Sequence, residues 1–389
     1  MDREKTDFTT ILALSHQKEW SSSRVFNKGT SAEQYLSFTI GSDPEIFLMK
    51  DGEVYPAFQF LPSKKDADTG TSPRYNDGSY FMRYPFWDGF QAEFCVWPKE
   101  CLMYFTLGMR KCLEGLAIRA GEKGAKLTIR NVLRIPDATL LSAEQEHVAL
   151  GCSPSENIYD DHGMTVENPR KLKYRFTGGH LHVGKWHLTQ PPDYGKIVNA
   201  LDSILGIWAV GVAANLDSPI RRKYYGLAGE YRMPVYKKST DFGEDALGVE
   251  YRVLSNFWLC HPAICQATWE VARACVKLAH TKYRGLWASD TNQVREIINN
   301  CDVKAARKLL AMNRDMFIWM VQSYAFPTIT VREAMFNLGM NGVESIVSDP
   351  EDFTKNWLFG AKMHDNYYEQ HSQLSWRGYV MSGYKGVNP

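Results

Sequence analysis

The chain has 389 residues, 44% hydrophobic and 13% aromatic, enough for a large core organised as one or two domains. Its 45 Lys+Arg against 44 Asp+Glu leave a formal charge of +1, so no whole-protein field points to nucleic acid or an anionic membrane as partner. Eight cysteines (Cys95, Cys101, Cys112, Cys152, Cys260, Cys265, Cys275, Cys301) include no C-x-x-C pair. Several lie in apolar helical patterns, which predicts reduced, mostly buried thiols. The N-terminus, Met1-Asp2-Arg3-Glu4-Lys5, is charged and leads into no long apolar core. The longest apolar run, 204–214, falls short of the ~20 residues that cross a bilayer, so a cytoplasmic protein without a membrane partner is expected.

Residues 1–36 are polar and without period, and read as a peripheral leader. Ser37-Phe38-Thr39-Ile40 reads as a strand entering Gly41-Ser42-Asp43-Pro44-Glu45; Ile46-Phe47-Leu48-Met49 continues it to a hairpin turn at Lys50-Asp51-Gly52. Residues 61–78 form a long polar loop. Trp87-Asp88-Gly89-Phe90-Gln91-Ala92-Glu93-Phe94 reads as a strand with Gln91 and Glu93 on one side, followed by an amphipathic helix over 101–120 that Gly121 ends. Lys126-Leu127-Thr128-Ile129 is the next strand. Gly151-Cys152-Ser153-Pro154 echoes Gly41-Ser42-Asp43-Pro44, too briefly to show duplication.

The most informative stretch is Thr177-Gly178-Gly179-His180-Leu181-His182-Val183-Gly184. The alternating segment Lys171-Leu172-Lys173-Tyr174-Arg175-Phe176 runs straight into it. In a strand, His180 and His182 share a face, as do Glu230 with Arg232 and Glu250 with Arg252. Taken alone, two histidines after a glycine turn are an ordinary feature, and each Glu-x-Arg is an ordinary ion pair. Four separate segments, at Asp43/Glu45, Glu93, His180/His182 and Glu230/Glu250, repeat the pattern beside glycines, and that repetition points to a divalent metal with arginines for phosphate or carboxylate.

With no cysteine set and no His-Glu-x-x-His helix, the spacing does not fit a closed structural zinc site; oxygen-rich ligands with one or two imidazoles suit Mg²⁺ or Mn²⁺ better. No Walker loop or dinucleotide turn is present, and nothing supports a serine triad or a cysteine nucleophile. The cluster Arg170, Lys171, Lys173 and Arg175 reads as a solvated face or a phosphate-steering rim rather than a nucleic-acid surface. Helices are predicted over 193–214, 261–282, 302–313 and 316–324, with Asp302 as an N-cap and a polar loop over 237–248 between the Glu-Tyr-Arg strands.

Four motifs carry a family resemblance: Gly41-Ser-Asp-Pro-Glu45, Phe176-Thr-Gly-Gly-His-Leu-His-Val-Gly184, Arg221-Arg-Lys-Tyr-Tyr-Gly-Leu-Ala-Gly-Glu-Tyr-Arg232 and Gly248-Val-Glu-Tyr-Arg-Val-Leu-Ser255. Over about Phe38 to Leu259 the sequence resembles the phage-type carboxylate-amine ligases (COOH.NH2 ligase type 2) of the glutamine synthetase-like superfamily. The resemblance implies an α+β fold, a curved antiparallel half-barrel sheet backed by helices, with a catalytic core over 37–259 and a helical part over 260–389. It also implies an enzyme of the cytoplasm, or of the host cytoplasm if phage-encoded.

What it implies chemically is ATP-driven amide formation between a small-molecule or peptide carboxylate and an amine, through an acyl phosphate, with release of ADP and phosphate. Glu45, Glu93, His180 and Glu250, with Asp43 and His182 beside them, then hold Mg²⁺ or Mn²⁺. Arg232, Arg252 and Arg222 face the transferred phosphoryl group, Glu230 takes the ammonium proton, and Arg221, Arg175 and Lys173 serve the nucleotide phosphates. A kinase of a small guanidine or amine acceptor, and a non-enzymatic protein retaining the fold, are the alternatives.

Overall fold

The computed structural model describes residues 38–68, 82–99, 102–149, 155–184, 193–236, 246–281, 287, 289–325, 329–347 and 350–357. The predicted leader, the motif over 151–154, most of the loop over 237–248, residues 69–78 of the polar loop over 61–78 and the tail beyond 357 lie outside them. The described residues form an α+β structure around an open sheet whose ladders are all antiparallel.

The strands are β1 (Thr39–Ser42), β2 (Glu45–Lys50), β3 (Glu53–Val54), β4 (Met82–Asp88), β5 (Gln91–Lys99), β6 (Lys126–Thr128), β7 (Val132–Arg134), β8 (Glu156–Asn157), β9 (Tyr174–Phe176), β10 (Leu181–Gly184), β11 (Glu230–Arg232), β12 (Val235–Tyr236) and β13 (Ala246–Tyr251). The main path runs β3-β2-β5-β1-β10-β13-β11-β8, with β4 on β5, β6 on β2 and β12 on β13, while β7 and β9 form a separate pair. The predicted turn closes β2 onto β3, with Asp51 and Gly52 both at positive φ, the geometry a two-residue hairpin demands.

Three local readings differ from the structure. The segment 87–94 is not one strand: Gly89 adopts φ +62 and Asp88 pairs with Gln91, so β4 turns tightly into β5. The helix after β5 spans Leu102–Glu122 and passes through Gly121; Gly124, at φ +70, takes the left-handed position in the turn that follows. The strand predicted from Lys171 is shorter too, and only Tyr174–Phe176 pairs, with β7.

Helices among the described residues include α1 (Lys64–Asp68), α2 (Leu102–Glu122), α3 (Tyr194–Leu216), α4 (Pro262–Ala279), α5 (Thr291–Asn299), α6 (Val303–Met312), α7 (Arg314–Ala325) and α8 (Ile329–Asn341). Asp193, Asp290 and Asp302 cap α3, α5 and α6 by accepting backbone N–H bonds, as short oxygen-bearing side chains do at N-caps. By length and composition α3 is apolar enough to cross a membrane, yet 83% of its apolar window is buried, with α4, α6 and α8 packed on it. It is a core helix. A π turn over Leu201–Gly206 interrupts it and carries Asp202, fully buried.

Pleating separates the faces of β10 and β13. Leu181, Val183, Val249 and Tyr251 are buried on the helix side, leaving His182 and Glu250 for the other. The Tyr251 hydroxyl donates to Asp202 Oδ1 at 2.7 Å, tying the sheet to α3, and a Cβ at Gly206 would sit 3.1 Å from that hydroxyl. Burial pushes the Asp202 carboxyl up to about 7, so the folded state holds its proton more tightly than the unfolded chain. Its contribution therefore falls as pH rises from the ordinary aspartate range to about 7.

Tyr251→Phe removes the donor that best stabilises the ionised carboxylate. Urea unfolding is expected to show a loss of about 1–3 kcal/mol at about pH 9 and a smaller one at about pH 6. An equal loss at both values would show that Asp202 does not titrate in this range.

Candidate active site

The site is assembled by register. Across the sheet, Gly41 of β1 lies opposite His182 of β10, His182 opposite Glu250 of β13, and Glu250 opposite Arg232 of β11. Directly paired residues share a face, so His182, Glu250 and Arg232 form one polar row. A second row lies where β2 meets β5: Glu45 is opposite Glu93, and the hairpin sets Asp88 of β4 opposite Gln91, on the side of Glu93. Asp43-Pro44 is the joint between the rows, where the chain leaves β1 for β2 and both lie along β5.

The glycine pair fixes Glu45. Glu45 N–H donates to Gly178 O at 2.9 Å, Gly178 N–H returns a bond to Glu45 Oε2 at 2.6 Å, and Asn256 Nδ2 donates to Glu45 O at 3.0 Å. Gly179 has no room for a side chain, because a Cβ there would strike Trp258 Nε1 and the Ser255 carbonyl. Ser42 Oγ donates to His180 O, bringing the start of β10 against the end of β1.

Two acidic groups result. Ligand atoms of Glu45, Asp88 and Glu93 lie within 4.8 Å of one another, as do those of Asp43, His182 and Glu250. Asp43 Oδ1 lies 2.8 Å from His182 Nε2 and 3.4 Å from His180 Nδ1, and Glu250 Oε1 lies 3.5 Å from His180 Nδ1. The two histidines therefore converge, as their spacing predicts. Burial pushes Glu45 up to about 8, with the charge of Asp88 adding to it. Burial likewise raises Glu93, Asp88 and Glu250, and the charge of Asp43 adds to each. Burial alone would raise Asp43 as well, but the charge and hydrogen bonds of His182 and His180 override it and hold Asp43 low. Burial lowers His180, whereas Asp43 outweighs burial at His182 and raises it.

Carboxylates set directly opposite one another destabilise a sheet unless protons or a cation intervene. The donors are hard oxygens with one or two imidazoles, which suits Mg²⁺ or Mn²⁺ and argues against a sulfur-liganded metal. By this test the residues fit a divalent ion at each group. Arg252 Nη1 lies 2.5 Å and Arg232 Nη2 3.3 Å from Glu250 Oε1, so both guanidinium groups border the second set.

Five predicted site residues, Arg221, Arg222, Arg175, Lys173 and Glu230, make contacts away from the two acidic groups. Arg221 is fully buried and donates to Thr177 O at 3.0 Å, Val253 O at 3.1 Å and Leu254 O at 2.9 Å. Arg222 donates to Gly226 O and Val253 O and pairs with Asp217 Oδ2 at 2.6 Å. Arg175 donates to the carbonyls of Leu172, Tyr174, Val148 and Pro169, over the ring of Phe90. Lys173 pairs with Asp137 at 2.9 Å, and Arg170 is spent on the carbonyls of Leu140 and Ala143. These cations satisfy main-chain acceptors and acids. Glu230 accepts from Gly226 N–H at 2.8 Å and feels the charges of Arg221 and Arg222.

Two residues enter the site unforeseen, Asp88 and Lys64. Read as one strand, 87–94 puts Asp88 on the face opposite Gln91 and Glu93, and the hairpin reverses it; Asp-Gly was the available signal. Lys64 Nζ reaches Glu93 Oε1 at 3.3 Å from a helix inside the stretch predicted as loop.

In the metal-free protein the raised carboxyls hold protons that the unfolded chain releases at lower pH. Stability should therefore fall as pH rises from the ordinary glutamate range to about 8, the value for Glu45. Glu93→Gln relieves the opposition: in chelator at about pH 8 it should melt higher than the unmodified chain, by about 1 kcal/mol, and lose the stabilisation that Mn²⁺ gives. A lower melting point with the Mn²⁺ gain intact would refute the metal assignment. Arg221→Lys strands buried carbonyls and should cost about 2–4 kcal/mol in urea unfolding. Unchanged stability with weakened nucleotide binding would return Arg221 to the phosphates.

A comparison with curated proteins found no match. Among solved structures, one titled "Crystal structure of novel glutamine synthase homolog" aligns with a TM-score of 0.39 at 12% identity, covering 82% of this chain and 70% of that one. The sequence profile described as "Phage phiEco32-like COOH.NH2 ligase-type 2" matches residues 169–358. That span, just under half of the chain, holds His180, His182, Arg232, Glu250 and Arg252, and over it the chain is similar to the phage phiEco32-like COOH.NH2 ligases of type 2.

Proposed function

We propose that the chain is an ATP-dependent ligase that joins a small-molecule or peptide carboxylate to an amine through an acyl phosphate. The observation that carries this reading is the meeting, on one sheet face, of two carboxylate groups suited to divalent ions with the guanidinium groups of Arg232 and Arg252. A carboxylate is a poor electrophile at neutral pH. Transfer of the γ-phosphoryl group to a carboxylate oxygen, with departure of ADP, creates a leaving group; the amine nitrogen then attacks the acyl carbon, phosphate leaves and a proton is lost. Divalent ions, when bound, supply charge neutralisation at the phosphates and the acceptor carboxylate.

The chain's own residues hold the geometry. Arg252 is buried, its guanidinium fixed between Glu250 and the ring of Tyr225, 5.1 Å from the ring centroid. Arg232, with its side chain 21% exposed, is the more open of the two and faces incoming phosphate oxygens. A guanidinium offers two parallel donors to such oxygens, which lysine cannot reproduce.

The test supplies ATP, Mg²⁺ and a panel of carboxylates and measures amine-dependent ADP release, with hydroxylamine to trap an acyl phosphate as a hydroxamate. Release of AMP and pyrophosphate would replace phosphoryl transfer by adenylation, and a stable phosphorylated acceptor without amide would indicate a kinase. Arg232→Lys should lower the turnover number by ~10²-fold with little change in melting temperature. Turnover close to that of the unmodified chain would remove Arg232 from the reaction.

A further inference from the structure

Lys64 has no role in the reaction outlined above, yet it is built into the acidic face. The start of α1 is anchored by main-chain pairing along β4: Ser63 bridges Trp87, Trp87 N–H donates to Pro62 O at 3.0 Å, and Asp66 N–H donates to Ser63 Oγ at 3.1 Å. From that anchor the Lys64 ammonium lies 5.0 Å from the centroid of the Phe86 ring and reaches Glu93 Oε1 at 3.3 Å. Its charge is felt at Asp88, Glu93 and Glu250, so it serves both acidic groups and not one partner alone.

We infer that Lys64 is a resident cation of the Glu45–Asp88–Glu93 site, one that a divalent ion must displace and that thereby sets the metal affinity of the site. The ammonium pairs with Glu93, one of three acids whose ligand atoms lie within 4.8 Å of one another, and a divalent ion bound to those oxygens would be strongly repelled by it. Displacement is mechanically available. The Lys64 side chain is 54% exposed while Glu93 is 6% exposed, so the long stem can swing to solvent and leave the acid in place. The inference rests on the metal assignment of this carboxylate group and not on the ligase chemistry, so it is tested with the metal alone.

The full chain, stripped with chelator, is titrated with Mn²⁺ in the absence of nucleotide, by calorimetry or electron paramagnetic resonance. Lys64→Met keeps the apolar stem over Phe86 and removes the charge, and should bind Mn²⁺ about tenfold more tightly; Lys64→Arg keeps a cation and should stay within about threefold of the unmodified chain. Unchanged or weaker binding by Lys64→Met would overturn the inference, and so would equal tightening by both variants. The unmodified chain gives an independent reading: acetylation of Lys64 by a soluble active ester, followed by mass spectrometry, should accelerate when Mn²⁺ is added. Unchanged or slower acetylation would mean that the ammonium stays on Glu93 when metal binds. A failed substrate screen would touch the proposed reaction and leave these outcomes intact.

Discussion

The face-to-face placement of Glu45 and Glu93 is the constraint from which the rest of the site follows. Two buried acids cannot simply move apart here, because Glu45 is held at both its main chain and its side chain by Gly178, and Asn256 holds its carbonyl. Electrostatic cost is thus locked in by ordinary hydrogen bonding, and it is relieved by protons, by Lys64 or by a bound ion. A site that stores such repulsion is ready to take a cation.

The cations behind the face do a different kind of work. Arg221 gathers the carbonyls of Thr177, Val253 and Leu254, linking the glycine turn to the chain just after β13, and Arg222 adds Gly226 and Asp217. Those segments carry Glu45's partner Gly178 on one side and Arg252 on the other. Multidentate guanidinium groups are well suited to this, since one side chain can satisfy several buried acceptors whose ladders have ended. The alignment of the acidic rows therefore depends on arginines buried behind the face.

Much of the acidic face is legible in the sequence because alternation assigns a face without any knowledge of the partner strand. Gly-Gly-His-Leu-His puts two imidazoles together, and both meet Asp43; Glu250 and Arg252 also meet. Register is another matter. That Arg232 stands opposite Glu250, or Glu45 opposite Glu93, depends on turns and bulges in strands far apart along the chain. The positive charge of Arg175, Arg221 and Arg222 is equally visible, but its destination is not, since main-chain carbonyls left over at strand ends have no signature in the sequence. Asp88 shows the same limit in miniature: one tight turn at Gly89 moves it from the wrong face to the right one.

The apolar helix α3 has a consequence for how the chain is made. It would pass for a membrane span by composition, and what covers it, α4, α6 and α8, is encoded up to 341, well after it. At about 5–20 residues per second, a ribosome would leave this helix without its cover for on the order of ten seconds. During that interval its greasy surface is open to chaperones, to membranes and to other nascent copies. The yield of folded protein should therefore depend on the pace of translation through the helices that follow.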